Sequence, residues 1–151
     1  MTTLERLINI LVAETDMARA LLVVIEEKQE ALIRMNADRL SAMVERERAL
    51  LKPTKDLERE RIKLLSQVAS EIKGLPSGVG EVRLSELAKH LDENSATKLT
   101  TIRGTMKGIS KRIQERNHQN RILLESSSRF VKNTIHILTG DQRRRLIDQK
   151  I

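Results

Sequence analysis

Three histidines, His90, His118 and His136, are the first side chains to test for chemistry, and they stand 28 and 18 residues apart. A helical metal site needs ligands one turn apart, and no two histidines here meet that spacing. Each reads as a solvated helix residue. Carboxylates are frequent, but they alternate with Lys and Arg, as in "ERERALLK" and "DLERERIK". Such runs form exposed helix faces whose i, i+4 ion pairs contribute only a few tenths of a kcal/mol each. General acid–base catalysis needs paired groups in a sheltered cleft, which a thin helical assembly rarely offers. The three glycines of "GLPSGVGEV", residues 74–82, match no GxxxxGK[ST] pattern and follow no strand, so they read as a connector. With no cysteine, disulfides, thiolate metal sites and cysteine nucleophiles are excluded. The expectation is a protein that is not an enzyme and holds no cofactor and no metal.

Charge is the remaining chemistry. The net charge is +7, and its placement is uneven. Residues 1–97 carry 15 Lys/Arg against 17 Asp/Glu, whereas residues 98–132 carry 9 against 2. Lys107, Lys111, Arg112, Arg116, Arg121 and Arg129 give that segment a salt-dependent attraction for phosphate or for any acidic partner. A basic helical nucleic-acid-binding protein is therefore the alternative function. Against it, there is no helix-turn-helix signature, no Tyr, no Trp, and a single Phe for base stacking. The reading adopted has no nucleic-acid partner.

The elements that position these residues are helices. Leu4, Leu7, Ile8, Leu11, Thr15, Ala18, Leu21, Leu22, Ile25 and Leu32 recur three and four apart, which predicts a helix over about 3–34. Asn36 then caps a second helix over about 37–73, with Asp38 in the first turn where the helix dipole favours negative charge. Gly74 and Pro76 end it, and Pro53 inside it predicts a kink. After a loop over 74–83, Leu84, Leu87, Leu91, Leu99, Ile102, Met106, Ile109 and Ile113 open a third helix, over about 84–138. Gly104 and Gly108 share one face of it, either to let another backbone approach or merely loosening the helix. Thr139 and Gly140 are expected to end it, leaving 141–151 as a flexible charged tail. The fold class is all-α: three long helices, an antiparallel N-terminal hairpin plus a long C-terminal helix, forming a coiled-coil-like bundle in one domain over 1–140. The longest apolar stretch, "ARALLVVI", is too short for a membrane helix, so no membrane insertion is expected. "MTTLERLINI" has neither a basic n-region nor a small-residue cleavage site, so no signal peptide is expected and the location expected is cytoplasmic.

The third helix is longer than either partner. Its seam register continues through Asn120, Ser127 and Thr134 on one line and Arg116, Leu123, Phe130 and Ile137 on the other. Part of this stripe should lack an intramolecular cover and suit a partner helix. Asn117 and Asn120, at or beside the seam, would then set register and partner choice. The free chain is either monomeric or shields the stripe by dimerising.

"ERNHQNRILLESSSRFV" resembles the Asn-x-x-Asn, Leu-Leu, Ser-x-x-(Arg)-Phe-Val stretch of the FlgN family of flagellar type III export chaperones. "LINILVAETDMARALLVVIEEKQEALIRMNADRLSAMVERERALL" resembles the paired N-terminal helices of that family, so the likeness covers roughly residues 4–138. It implies a cytoplasmic chaperone that binds the C-terminal helices of flagellar hook-associated (hook–filament junction) proteins, prevents their premature assembly, and delivers them to the export gate and ATPase complex. It equally allows a different flagellar or type III client. The family's binding region maps here onto Asn117, Asn120, Leu123, Leu124, Ser127, Phe130, Val131, Ile135 and Leu138. The family's C-terminal tyrosine contact with the export gate has no counterpart in a chain without Tyr, and Pro53 interrupts a helix that the family keeps regular.

Overall fold

The computed structural model describes the backbone of residues 1–72 and 83–150, and the side chains of 1–72 and 83–140. Four helices follow in order, α1 (Thr3–Ile33), α2 (Ala37–Glu71), the short α3 (Leu84–Ala88) and α4 (Glu93–Lys150), and the described residues contain no strand. The fold is an all-α bundle.

Each helix start follows from local chemistry. Thr2 caps α1 reciprocally: its Oγ1 accepts from the Glu5 amide at 3.1 Å, and its own amide donates to Glu5 Oε2 at 2.8 Å. That amide bond is the main reason the Glu5 carboxyl sits below its ordinary value. Asn36 caps α2 by accepting from the Arg39 amide at 3.1 Å. Between them, the Asn36 amide reaches the Ala31 carbonyl at 2.9 Å and the Met35 amide reaches Leu32 at 3.2 Å. This closing pattern needs a left-handed residue, and Met35 supplies it with φ 53°.

α1 lies between the two long helices. Its contacts with α2 run in opposite senses along the two chains: Thr3 meets Glu71, Glu14 meets Arg61, and Lys28 meets Glu47. With α4 the senses agree. Thr15 lies against Met106, Glu26 against Arg112, Gln29 against Arg116, and Ile25 against Asn120, a sequence offset between 86 and 95 throughout. α1 is therefore antiparallel to α2 and parallel to α4. At the amino end of α1 the elements converge on Leu7, Leu11, Leu64, Leu65, Val68, Leu87 and Leu99, all buried. Leaving any one of these leucines in water would forfeit roughly 1.5–3 kcal/mol.

Two expectations change. The third helix is two elements, because Asp92 caps α4 afresh, accepting from the Ser95 amide at 3.1 Å. The Ser95 side chain, and after it the Ser95 amide, hold the Asp92 carboxyl below its ordinary value. α4 also does not end at Thr139-Gly140 but continues as helix to Lys150, so 141–150 is not an irregular tail. Gly140 lacks the left-handed backbone that would cap a helix, and one glycine inside a helix costs only about 1 kcal/mol. α2 continues as helix across Pro53, as the apolar spacing on both sides of it predicts. The expected stop at Gly74 and Pro76, and nearly all of the loop over 74–83, lie outside the described residues.

Candidate functional site

The candidate site is the carboxyl-terminal part of α4. Along the seam with α1, Ile102, Met106, Ile109, Ile113, Arg116, Asn120, Leu123 and Ser127 are each at least half-buried, in the three-and-four rhythm of a helix face. From Ser128 to Thr139 every side chain is exposed. The change has a simple cause. Carried on at the α1–α4 offset, Ile33, the last residue of α1, falls level with about residue 123, so α4 runs past its cover.

The apolar pattern does not stop with the cover. Leu124 is 54% exposed, Phe130 64%, Ile135 57% and Leu138 59%. With Val131 and Ile137, also exposed, they continue the line of Ile109, Ile113 and Asn120. This is a contiguous apolar stripe on a projecting helix, the kind of surface that a second amphipathic helix covers.

The residues singled out from sequence divide into two groups. Asn117, Leu124, Phe130, Val131, Ile135 and Leu138 are on the open part. Leu123 and Ser127 are half-buried where the cover ends. Asn120 is drawn inside: it is 5% exposed and donates Nδ2 to the Ile25 carbonyl at 3.2 Å. Its Oδ1 is buried without a partner. Sequence reasoning left out Ile122, Ile33 and Met35 and gave Ile137 only a place on the seam register; all four are exposed apolar residues on α4 or at the hairpin tip. The two on α4 were legible from hydrophobicity alone; the other two required knowing which end of α1 lies beside the stripe.

The basic segment also divides. Arg112 pairs with Glu26 at 3.3 Å and Arg116 donates to Gln29 at 2.9 Å, both across the α1–α4 seam. Lys107, Lys111, Arg121 and Arg129 point into solvent. Gly104 and Gly108 face open space, with nothing within 4 Å of where a Cβ would be, so they accommodate no neighbouring backbone.

No cluster suited to a metal occurs among the described residues. His90, His118 and His136 are exposed. Arg61 Nε donates to Glu14 Oε1 at 3.1 Å, beside a cleft of about 190 Å³ between α1, α2 and α4 lined by Met17, Leu21, Leu57 and Met106. Burial raises the Glu14 carboxyl above its ordinary value and outweighs the attraction of Arg61. With one carboxylate already paired to an arginine, this cleft holds no second acid or base among its lining residues other than Glu58. No described helix is long and apolar enough to cross a membrane.

Comparison with known proteins gives one match: the family described as FlgN protein, over residues 1–146. No curated protein and no solved structure matches.

Proposed function

We propose a function from one premise: the chain belongs to the FlgN family. That family has a general role in flagellar export as chaperones, and its members bind flagellar proteins. Our reading is that this chain, in the cytoplasm and without catalysing a reaction, captures the C-terminal helical segments of hook–filament junction proteins. It keeps them from assembling early and delivers them to the type III export gate.

The observation that supports this most is the projecting stripe of α4, where Phe130, Ile135 and Leu138 are more than half exposed. A client helix laid along it would take up the line that α1 occupies further back, covering apolar groups that α1 is too short to reach. Asn117 and Ser127 flank the entrance to that seat. They give polar contacts that select among otherwise similar amphipathic helices.

The test is capture of purified client C-terminal segments by Phe130→Asp and by Ile135→Asp, with helical content followed by circular dichroism. Capture should fall by more than tenfold with the helical signal unchanged. Undiminished capture by both variants would move the seat elsewhere. Loss of helix together with capture would mean that these side chains belong to the core.

A further inference from the structure

The face of α4 turned away from α1 has a different composition. Arg103, Lys107, Lys111, Arg121, Arg129 and Lys132 all lie within a band about 80° wide, centred some 150° from the apolar stripe. Every one is exposed, and the only acidic residue in the same band is Glu125. From Arg103 to Lys132 the band is about 45 Å long.

Its arginines are treated differently from those of residues 1–72, whereas Lys52, Lys55 and Lys63 there are without an ion pair among the described residues, as Lys107, Lys111 and Lys132 are. All eight arginines of residues 1–72 (Arg6, Arg19, Arg34, Arg39, Arg46, Arg48, Arg59 and Arg61) pair with a carboxylate. Among the described residues, none of the six cations in the α4 band does; the one paired cation on that helix is Arg112, which faces α1. Arg103, Lys107 and Lys111 stand about a helical turn apart, as do Arg129 and Lys132, inside a Debye length, so within each group their fields reinforce; Arg121 stands between the two groups, beyond a Debye length from either.

We infer that this band docks the protein on an anionic bilayer surface. The shape supports a plane over other acidic partners. The band is convex, and from Lys111 onward no other described helix crosses it, because α1 lies on the opposite side of α4; Leu84 of α3 and Leu11 of α1 come beside only its Arg103 and Lys107 end. It holds no aromatic side chain, and one exposed apolar residue, Ile122, stands at its edge, less of an anchor than a tight protein interface needs; exposed ion pairs alone contribute little one at a time. A straight row of cations meets a given duplex backbone only where it crosses, and the single aromatic, Phe130, is on the opposite stripe and out of reach of a base bound here. A membrane leaflet accepts every cation at once and requires no register. Because band and stripe point in opposite directions, a chain resting on the bilayer holds its apolar stripe away from it. Docking is therefore surface attraction without insertion.

The experiment is co-sedimentation of the full chain with vesicles of phosphatidylcholine alone and of phosphatidylcholine with a minority of phosphatidylglycerol, at low and high salt, and against a labelled duplex. The expected result is binding to the anionic vesicles only, weakened by salt. K107Q/K111Q/R121Q should bind roughly 100-fold less tightly, since each surface cation contributes about fivefold. Lys107→Arg/Lys111→Arg, which keeps the charge, should bind as the parent does, and Phe130→Asp should still bind. Equal binding to neutral vesicles would overturn the proposal in favour of apolar insertion. No binding to anionic vesicles would overturn it outright, and tighter binding to the duplex would assign the band to nucleic acid.

Discussion

Asn120 of α4 donates its Nδ2 to the Ile25 carbonyl of α1 at 3.2 Å, and this tie is one of the last between the two helices before α4 projects alone. The carbonyl already serves its own helix, so the asparagine gains one bond and leaves Oδ1 buried and unpaired. A polar seam residue of this kind trades stability for register. Asn120→Leu should therefore raise stability by about 1 kcal/mol while permitting slippage of α4 along α1. Thermal denaturation reads the first effect, and cysteine cross-linking between the helices reads the second. A drop in stability would mean that the single bond outweighs the orphaned oxygen.

Met35 holds a left-handed backbone, φ 53°, while its side chain is 67% exposed. Met35→Gly should remove that strain at little loss of burial and stabilise the hairpin by about 1 kcal/mol. Met35→Val, branched at Cβ, should lower the urea midpoint instead.

Gly104 and Gly108 meet nothing where a Cβ would point. Alanine at either position should stabilise the protein by roughly 0.5–1 kcal/mol, and the two gains should nearly add. A loss of stability on either change would reveal a close approach that the fold does not show.

The Glu14–Arg61 pair gives a pH-dependent prediction. A carboxyl raised in the folded state favours folding when protonated, so its contribution is fullest below the ordinary carboxylate value and is lost as pH rises through the folded value. Arg61→Ala removes the attraction that partly offsets burial, so Glu14 should rise further. The variant should lose about 1–2 kcal/mol at pH 7 and much less near pH 3, measured by urea unfolding at both. An equal loss at the two pH values would mean that Arg61 acts through packing.

Phe130, Val131, Ile135 and Leu138 touch no other helix of the described structure deeply enough to be buried. Changing all four to alanine should leave the unfolding midpoint within about 0.5 kcal/mol of the parent, an unusual outcome for four apolar truncations. A loss above about 2 kcal/mol would place them in a packed core.

Much of this could be read from residue spacing. The heptad-like run from Leu99 to Ile113, extended at the same register, reached Phe130 and Ile137, and helix lengths alone implied that they outran their cover. Asn36 was recognisable as a cap for the same reason: its side chain competes for backbone amides wherever it stands. Asp92 was missed although it acts in the same way, because the leucines on either side of it keep helical spacing across the break. Gly140 misled in the other direction, since glycine permits a stop without requiring one. The division of the basic residues could not be read at all. Arg112 and Arg121 look alike along the chain, and only the position of Glu26 on α1 separates a seam ion pair from a solvent-facing cation.

The parallel course of α1 and α4 has a mechanical corollary. From Ser128 to Lys150, α4 extends as a cantilever of about 35 Å with its root clamped in the bundle. Torque applied by anything held near its tip is resisted at the root, where Arg112, Arg116, Gln119 and Asn120 share the clamp with the half-buried Ile113 and Leu123. Polar contacts of that sort exchange readily with water, so cargo pulled from the tip would loosen the joint at its base well before the leucine core at the far end of α1 felt the load.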